Sequence, residues 1–115
     1  MVVGQLQATN DRLFHALADP TRRDIVRRTM QQEYSVSALA RLYPMSFAAV
    51  QKHVAVLERA ELVSKERRGR EQLVRGNVAA IRRASELLAQ YESLWRHRIH
   101  QMDQILTDPT KGANL

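Results

Sequence analysis

The sequence contains no cysteine, and this absence removes several kinds of chemistry at once. Disulfide bonds, thiolate metal sites, cysteine nucleophiles and thiol redox sensors all require a sulfhydryl group that the chain does not have. A cysteine-free chain is compatible with a reducing compartment, and we expect the protein to act in the cytoplasm. Its apolar stretches, such as Phe47–Val50 and Val54–Leu57, reach only four residues, so neither a membrane span nor a signal-peptide core is predicted.

Recognisable catalytic motifs are also missing. The chain has no Gly-x-Ser-x-Gly elbow, no glycine-rich phosphate loop and no His-Glu-x-x-His pattern. Its four histidines are scattered among serines and aspartates without the spacing of a catalytic group. We therefore predict a protein that is not an enzyme and has no cofactor. A length of 115 residues leaves room for one domain with one modest core.

Positive charge is present in excess, with a formal net charge of +6 and a sequence pI of about 10.5. Such a balance favours an anionic partner through electrostatic steering and counterion release. The charge is concentrated between Val63 and Gly76, where five basic residues accompany only two acidic ones. The basic residues of this segment are Lys65, Arg67, Arg68, Arg70 and Arg75.

Apolar spacing and capping residues predict two helices in the first third of the chain. Residues 1–9 show little pattern and are expected to form a flexible N-terminus, with Thr9 or Asn10 capping the first helix. Asp19-Pro20-Thr21 ends that helix and starts a second one over about 21–31. The apolar faces of the two helices are expected to contain Leu13, Phe14, Leu17 and Ala18, then Ile25, Val26, Thr29 and Met30.

A pair of short helices follows. Ser35 is a predicted N-cap for the third helix, whose Leu39 and Leu42 should point inward. Tyr43-Pro44-Met45 makes the turn, with Met45 filling the core, and Ser46 caps a fourth helix that ends near Leu57. In that helix Val50, Val54 and Leu57 recur at core spacing.

The segment Leu62–Arg75 reads as a basic β-hairpin, with Gly69 permitting the turn and Arg70 near the tip. Asn77 then caps a long final helix over about 78–106, and residues 107–115 are expected to form a flexible tail. Two short helices joined by a tight turn and followed by a hairpin are typical of a winged helix-turn-helix. We therefore predict this fold over residues 10–106, with double-stranded DNA as the partner.

The final helix carries apolar residues in a 3-4-4-3-4 spacing close to that of a coiled-coil seam. Such a seam needs a second helix, and we predict a homodimer; the alternative is that this face packs against its own domain. Trp95 and Tyr91 could instead line a small apolar pocket at the interface. The predicted interface consists of Leu13, Phe14, Leu88, Tyr91, Trp95, Ile99, Met102 and Leu106.

Three segments carry a family resemblance. Ala16–Val26 (ALADPTRRDIV), Ser37–Ala40 (SALA) and Met45–Leu57 (MSFAAVQKHVAVL) resemble the opening motif and helix-turn-helix of ArsR-type winged-helix regulators. The resemblance covers roughly residues 10–106. It implies a mainly α fold with a small β-hairpin, in the order α1-α2-α3-α4-β-β-α5, and dimerisation through the terminal helices. It also implies repression by occupying a promoter and, in many members, release by a ligand such as a small-molecule inducer.

Two features depart from that family. Glu61 occupies a position that is commonly glycine, where a left-handed backbone would strain a side chain by about 1 kcal/mol. The third-helix positions that serve metal-sensing members are here Ser35, Ala38 and Ala40, which are not plausible metal ligands. The resemblance is therefore to a cysteine-free subgroup, and metal sensing does not carry over.

The predicted DNA contacts fall on the fourth helix and on the hairpin. Glutamine can pair bidentately with adenine, lysine favours guanine or phosphate, and Phe47 can touch a thymine methyl group. His53 is expected either to contact phosphate or to pack, and base reading by it is less favoured. Arginines of the hairpin suit a narrow minor groove, although alternating strand positions face opposite ways. The candidates are Ser46, Phe47, Ala48, Gln51, Lys52 and His53 on the helix, and Lys65, Arg67, Arg68 and Arg70 on the wing.

Several alternatives stay open. Each candidate surface could be an ordinary solvated face, and Arg22 and Arg23 could serve either phosphate binding or the fold. His97, His100 and Asp103 lie three residues apart along the final helix and could bind a metal ion, which would make the protein a metal-sensing repressor. A further alternative is a protein-interaction module whose helix-turn-helix no longer reads DNA. We predict a promoter-occupying repressor that binds an inverted repeat as a homodimer.

Overall fold

The computed structural model describes residues 2–107 and shows a mainly helical protein with one small antiparallel sheet. The chain divides after Ala84 into two compact units, and the second unit begins within the last helix. Within the described residues the elements are α1 (Val2–Leu17), α2 (Pro20–Gln31), β1 (Tyr34–Ser35), α3 (Val36–Ala40), α4 (Phe47–Arg59), β2 (Val63–Arg68), β3 (Glu71–Gly76) and α5 (Val78–Thr107). This is the predicted winged helix-turn-helix order with one additional strand.

Four helices begin at side-chain caps, three of which the sequence predicts, namely Ser35, Ser46 and Asn77. The backbone N–H of Arg22 donates to the Asp19 carboxylate at 3.0 Å. The hydroxyl oxygens of Ser35 and Ser46 accept from Ala38 N at 3.0 Å and Ala49 N at 3.1 Å. The Asn77 amide oxygen accepts from Ala79 N at 3.1 Å. The starts of α2, α3, α4 and α5 are thus set by the side chains of Asp19, Ser35, Ser46 and Asn77, respectively.

The predicted start of the first helix is wrong, because α1 begins at Val2. Thr9 and Asn10 lie inside the helix rather than at its cap. Residues of these types are only weakly unfavourable in a helix interior, so a potential cap does not have to end or begin one. The predicted tail 107–115 lies outside the described residues except for Thr107, which is the last residue of α5.

The core of the first unit is formed by one face of each helix and by the inner face of the sheet. Leu13 in α1, Ile25 in α2 and Leu39 in α3 have no exposed surface. The α4 positions Val50, Val54 and Leu57 are 0–1% exposed, which confirms their predicted packing. Met45 packs against this core as predicted.

Three positions of the predicted apolar faces, Ala18, Met30 and Leu42, are exposed, in addition to Phe14 of the predicted interface. Leu42 is 43% exposed because α3 ends at Ala40, so helical spacing no longer sets its direction. Met30 is 37% exposed, although its side chain lies close to the end of β3. A Cβ atom at Gly76 would meet the Met30 Sδ at 2.6 Å, so only glycine permits this approach of strand to helix.

The hairpin is part of a three-stranded sheet with the order β1-β3-β2. β2 and β3 pair over six residue pairs, from Val63 with Gly76 to Arg68 with Glu71. The short strand β1 pairs Tyr34 with Val74 and joins the base of the wing to the start of α3. Gly69 has a φ of 64°, so the tight turn between β2 and β3 uses the conformation that glycine adopts without strain.

Glu61 has the left-handed backbone that its position in the sequence predicts, with a φ of 62°. Its carboxylate accepts from the Arg83 guanidinium at 2.9 Å, and thus connects the residue after α4 to the first turns of α5. The side chain of glutamate therefore makes a contact that glycine could not provide.

Candidate nucleic-acid interface

The outward face of α4 begins at its capped N-terminus. Because Val50, Val54 and Leu57 bury one side of the helix, Phe47, Gln51 and other predicted contact residues project from the opposite side. Phe47 is 47% exposed, so its ring is accessible to another molecule. The exposed predicted residues on this face are Ser46, Phe47, Ala48, Gln51 and Lys52.

The side chains of Gln51 and Lys52 have no polar partner within residues 2–107. Neither side chain takes part in a hydrogen bond or an ion pair there. An amide and an ammonium group on one exposed helical face can both bind the edges of bases in a major groove. The structure therefore leaves these two side chains available to a ligand.

His53 is on a different side of α4 and is only 21% exposed. The Arg22 guanidinium Nη1 lies 3.3 Å from the His53 Nδ1, and the Asp19 carboxylate lies 3.9 Å from the same nitrogen. A guanidinium group has only donors, so this contact is a hydrogen bond in the tautomer whose Nδ1 is unprotonated. His53 thus has neighbours within its own domain, which favours the packing role over base reading.

Arg22 and Arg23 are engaged with the C-terminal end of α1. Arg22 donates to the carbonyl oxygens of Ala16 at 2.8 Å and His15 at 3.0 Å, and Arg23 donates to that of Leu17 at 2.8 Å. These carbonyls are among those that a helix end leaves without internal partners. The contacts favour the fold role of the two arginines over the phosphate role.

Asp24 organises a polar cluster that links α2 to the turn of the helix-turn-helix. The Tyr43 hydroxyl donates to its carboxylate at 2.6 Å, Arg28 donates at 2.8 Å and Arg27 donates at 2.7 Å. These hydrogen bonds, led by that of Tyr43, hold the pKa of Asp24 well below its usual range. Burial and the neighbouring carboxylate raise the pKa of Tyr43 to about 12.

The register of the hairpin divides the basic wing residues between its two faces. Val63, Lys65 and Arg67 are every second residue of β2. Their side chains therefore lie on the same face, because side chains two residues apart in a strand point the same way. Val63 is 2% exposed, so this is the face directed at the body of the domain. Lys65 extends from it to the α4 residue Glu58 at 3.5 Å.

Arg68 is on the opposite face of the hairpin. Its guanidinium is ion-paired with Glu33 at 3.3 Å and with Glu66 at 3.2 Å. Arg67 and Arg70 have no ion pair or side-chain hydrogen bond within residues 2–107. The four predicted wing contacts therefore differ in availability, and only Arg67 and Arg70 are unpaired.

Gln72 was not identified by the sequence as a candidate contact. It lies opposite Arg67 in the sheet and lines a small hollow between α4 and the hairpin, together with Gln51 and Lys65. The walls of the hollow are completed by Val36 and Val54. The sequence feature that could have identified Gln72 is its position two residues before Val74. Val74 is buried, so Gln72 lies on the same inner face of the sheet.

The last helix presents a row of exposed apolar side chains in the second unit. Leu88, Tyr91, Trp95, Ile99, Met102 and Leu106 are 37–79% exposed, and Leu94 and Ile105 widen the row. Trp95 is covered on one side by the Arg98 guanidinium, 5.8 Å from the ring. We call this row, Leu88 to Leu106, the α5 stripe.

Leu13 has to be removed from the predicted interface. It is completely buried within its own chain, because the apolar face of α1 packs into the core at this position. Phe14, the next residue, is 38% exposed and stays a candidate.

The face of α5 that contains Trp95 and Ile99 also carries a shallow groove lined by His100 and Asp103. Within residues 2–107, no group of three histidine, aspartate or glutamate side chains is placed to hold a metal ion. In the same part of the chain, no helix combines the length and apolar character that a membrane crossing requires.

Known proteins share this architecture. A family profile for helix-turn-helix domains matches residues 17–66, which include α2, α3 and α4. An ArsR-like transcriptional regulator from Rhodococcus sp. RHA1 is 31% identical in sequence with a TM-score of 0.80, and the match covers 92% of this chain and 96% of that protein. The chain belongs to the ArsR-like transcriptional regulators.

Two further relatives of this ArsR-like chain come from mycobacteria. The HTH-type transcriptional regulator Rv2034 of Mycobacterium tuberculosis is 49% identical over 53 residues, which cover 46% of this chain and about half (50%) of that regulator. The homodimeric winged helix-turn-helix DNA-binding domain of Mb0332 from Mycobacterium bovis is 25% identical with a TM-score of 0.64, covering 77% of this chain and 84% of that domain. The predicted family and fold class are thus confirmed.

Proposed function

We propose that this ArsR-like protein is a homodimeric repressor that occupies a promoter by binding an inverted-repeat operator in double-stranded DNA. In each subunit α4 enters a major groove, and the wing follows the adjacent minor groove. Two-fold symmetry of the dimer requires two half-sites related by inversion, about one helical turn or a multiple of it apart. The proposal places the protein in the cytoplasm, in contact with the DNA that it regulates.

The main support for this proposal is the outward face of α4, where polar side chains are exposed and have no partner in the part of the chain that the structure describes. Gln51 and Lys52 have no partner within residues 2–107, while the remaining sides of the helix are packed or engaged. Polar side chains that project from the first two turns of such a helix are placed to reach base edges. Arg67 and Arg70, also unpaired, add positive charge on and beside the wing turn.

The homodimer is supported by the α5 stripe. A contiguous row of large apolar residues on a soluble protein marks a surface that another molecule covers. The spacing of the stripe suits a second helix of the same kind, and the related Mb0332 domain is homodimeric. Release of the operator by a small-molecule inducer belongs to the same proposal and is tested by screening compounds for loss of DNA binding.

The proposal is tested by fluorescence anisotropy of the full chain on duplexes from the region upstream of its own coding sequence. Scrambled duplexes of equal composition serve as the reference, and both are titrated between about 50 and 200 mM salt. A preference for one upstream duplex of about a thousandfold or more is the expected result. Equal and steeply salt-dependent binding to every duplex would mean either that the operator lies elsewhere or that the recognition helix no longer reads sequence, as in the protein-interaction module.

A further inference from the structure

Four charged side chains form a closed ring on the wing. Arg68 lies 3.3 Å from Glu33 and 3.2 Å from Glu66, and Arg75 lies 3.0 Å from Glu33 and 2.6 Å from Glu66. Each arginine contacts both carboxylates, and each carboxylate contacts both arginines. The ring therefore carries no net charge, although it contains two of the five basic residues in the segment Val63–Gly76.

The sheet register places all four side chains on one face. Glu66 and Arg68 are two residues apart in β2, and the pairing of Ser64 with Arg75 puts Arg75 on the same side. β1 pairs Tyr34 with Val74, and continuing this antiparallel register by one residue sets Glu33 opposite Arg75. The ring thus links the residue before β1 to β2 and β3, on the face opposite to the one that contains Lys65 and Arg67.

The ring is at the surface, where its components are accessible to a competing anion. The side chains of Arg68, Arg75 and Glu66 are 51–57% exposed, and that of Glu33 is 33% exposed. Exposed ion pairs contribute little to folding stability individually, so the ring is not required for the fold. We expect the ring to affect DNA binding more than stability, because a phosphate that approaches either arginine competes with two carboxylates and is repelled by them.

We propose that Glu33 and Glu66 withhold Arg68 and Arg75 from DNA and are thereby specificity-determining residues of the wing. Arg68 is one residue before the turn that carries Arg70, so an unpaired Arg68 would be placed to bind phosphate beside it. Phosphate contacts raise affinity for every sequence equally and therefore lower the preference for an operator. This inference rests on the proposed DNA binding, and it removes Arg68 from the predicted contacts.

The test compares two single variants that change the net charge equally. Glu66→Gln opens the ring, whereas Glu71→Gln removes a carboxylate on the same face of the hairpin that has no ion pair within residues 2–107. Dissociation constants for a random-sequence duplex are measured by anisotropy between about 50 and 200 mM salt. Circular dichroism verifies that both variants are folded.

The expected result is tighter binding and a steeper salt dependence for Glu66→Gln than for Glu71→Gln. The double variant Glu33→Gln/Glu66→Gln frees both arginines, and two additional phosphate contacts would steepen the logarithmic salt slope by about 1.8. Between 50 and 200 mM salt this slope corresponds to about a tenfold larger loss of affinity than in the wild-type protein. Adding Arg68→Gln and Arg75→Gln restores the original net charge and should remove the gain.

Two results would overturn the inference. If Glu66→Gln and Glu71→Gln gain affinity equally, the ring withholds nothing and only net charge matters. If the double variant binds more weakly than the wild-type protein, the ring positions the wing instead. Failure of the wild-type protein to bind any duplex would reject the proposed function itself, which distinguishes the two failures.

Discussion

Gln51 and Arg70 differ in what a single side chain can recognise on DNA. Gln51 projects from α4, where an amide can pair with one base edge, whereas Arg70 lies in the wing turn and attracts phosphate or a narrow minor groove. We expect Gln51→Ala to change the sequences recovered in a binding-site selection. Arg70→Ala should instead weaken all sequences alike and lower the salt slope by about 1.

Each variant serves as the experimental control for the other, since both remove one exposed side chain that has no partner within residues 2–107. An unchanged site preference in Gln51→Ala would show that this residue does not read bases. A wild-type salt slope in Arg70→Ala would remove that residue from the phosphate contacts.

Tyr43 connects the helix-turn-helix turn to α2 through one hydrogen bond of 2.6 Å to Asp24. Because the acceptor is charged and the tyrosine is half-buried, we expect Tyr43→Phe to lower the free energy of unfolding by about 1.5–3 kcal/mol. Urea denaturation followed by circular dichroism measures the change. Tyr34→Phe is the control, because its hydroxyl interacts with the exposed Gln32 and with Arg28 but not with Asp24, and its effect should be smaller than that of Tyr43→Phe. Equal losses in both variants would contradict the role assigned to Asp24.

The lowered pKa of Asp24 also predicts how the stability of the folded protein depends on pH. Its pKa is lower in the folded protein than in the unfolded chain, so its contribution is complete above the unfolded value of about 4 and is lost as pH falls below it. We expect the urea midpoint to decrease from about pH 4 downwards, and Asp24→Asn to make this decrease smaller. Denaturation curves at several pH values measure both slopes. Identical acid slopes in the two proteins would assign the pH dependence to other carboxylates.

At the scale of elements, the contact between β3 and α2 depends on Gly76. A Cβ atom there would lie 2.6 Å from the Met30 Sδ and 3.0 Å from the Met30 backbone nitrogen. We expect Gly76→Ala to lower the free energy of unfolding by about 1–3 kcal/mol, since the backbone atom cannot move aside as the side chain can. Chemical denaturation measures this loss, and Gly4→Ala, where a Cβ atom would meet nothing within 4 Å, is the control.

A second substitution separates the two contacts at this position. Met30→Ala removes the sulfur but leaves the backbone nitrogen, so Gly76→Ala should cost less in that background and still cost something. A loss of the same size in both backgrounds would mean that the Met30 side chain moves freely.

The sequence predicts most elements because their signals are local. Caps such as Ser46 and the glycine turn of the wing depend on residues within a few positions, and both are present in the structure. β1 was missed because two residues carry no periodic pattern, and this strand exists only through its pairing with Val74 and Leu73. The ion-pair ring was missed for the same reason, since Glu33 meets the wing arginines only after the sheet has formed.

Buried positions of α4 and exposed positions of the candidate interface could also be assigned from helical spacing. The internal engagement of Arg22, Arg23 and Arg68 could not, because a sequence does not show which carbonyl or carboxylate a long side chain will reach. Leu13 was misassigned because one apolar face of α1 contains both buried and exposed residues.

At the scale of the whole molecule, the α5 stripe predicts the oligomeric state. Ile99 is 37% exposed and belongs to the stripe, whereas Gln104 is exposed on another side of the same helix. We expect Ile99→Glu to shift the protein from dimer to monomer in analytical ultracentrifugation, because a charge in an apolar interface is costly. Gln104→Glu adds the same charge and should leave the dimer intact. A dimer that survives Ile99→Glu would exclude the stripe as its interface.

Trp95 is the only tryptophan in the chain, and it is 56% exposed on the α5 stripe. Fluorescence excited selectively in tryptophan therefore reports on that single location. Covering the indole would shift its emission to shorter wavelength, and changing its contact with Arg98 would alter its quantum yield. Changes in the emission of Trp95 can thus report dimer assembly, dissociation on dilution and the binding of small molecules at this helix, in unlabelled protein and in real time.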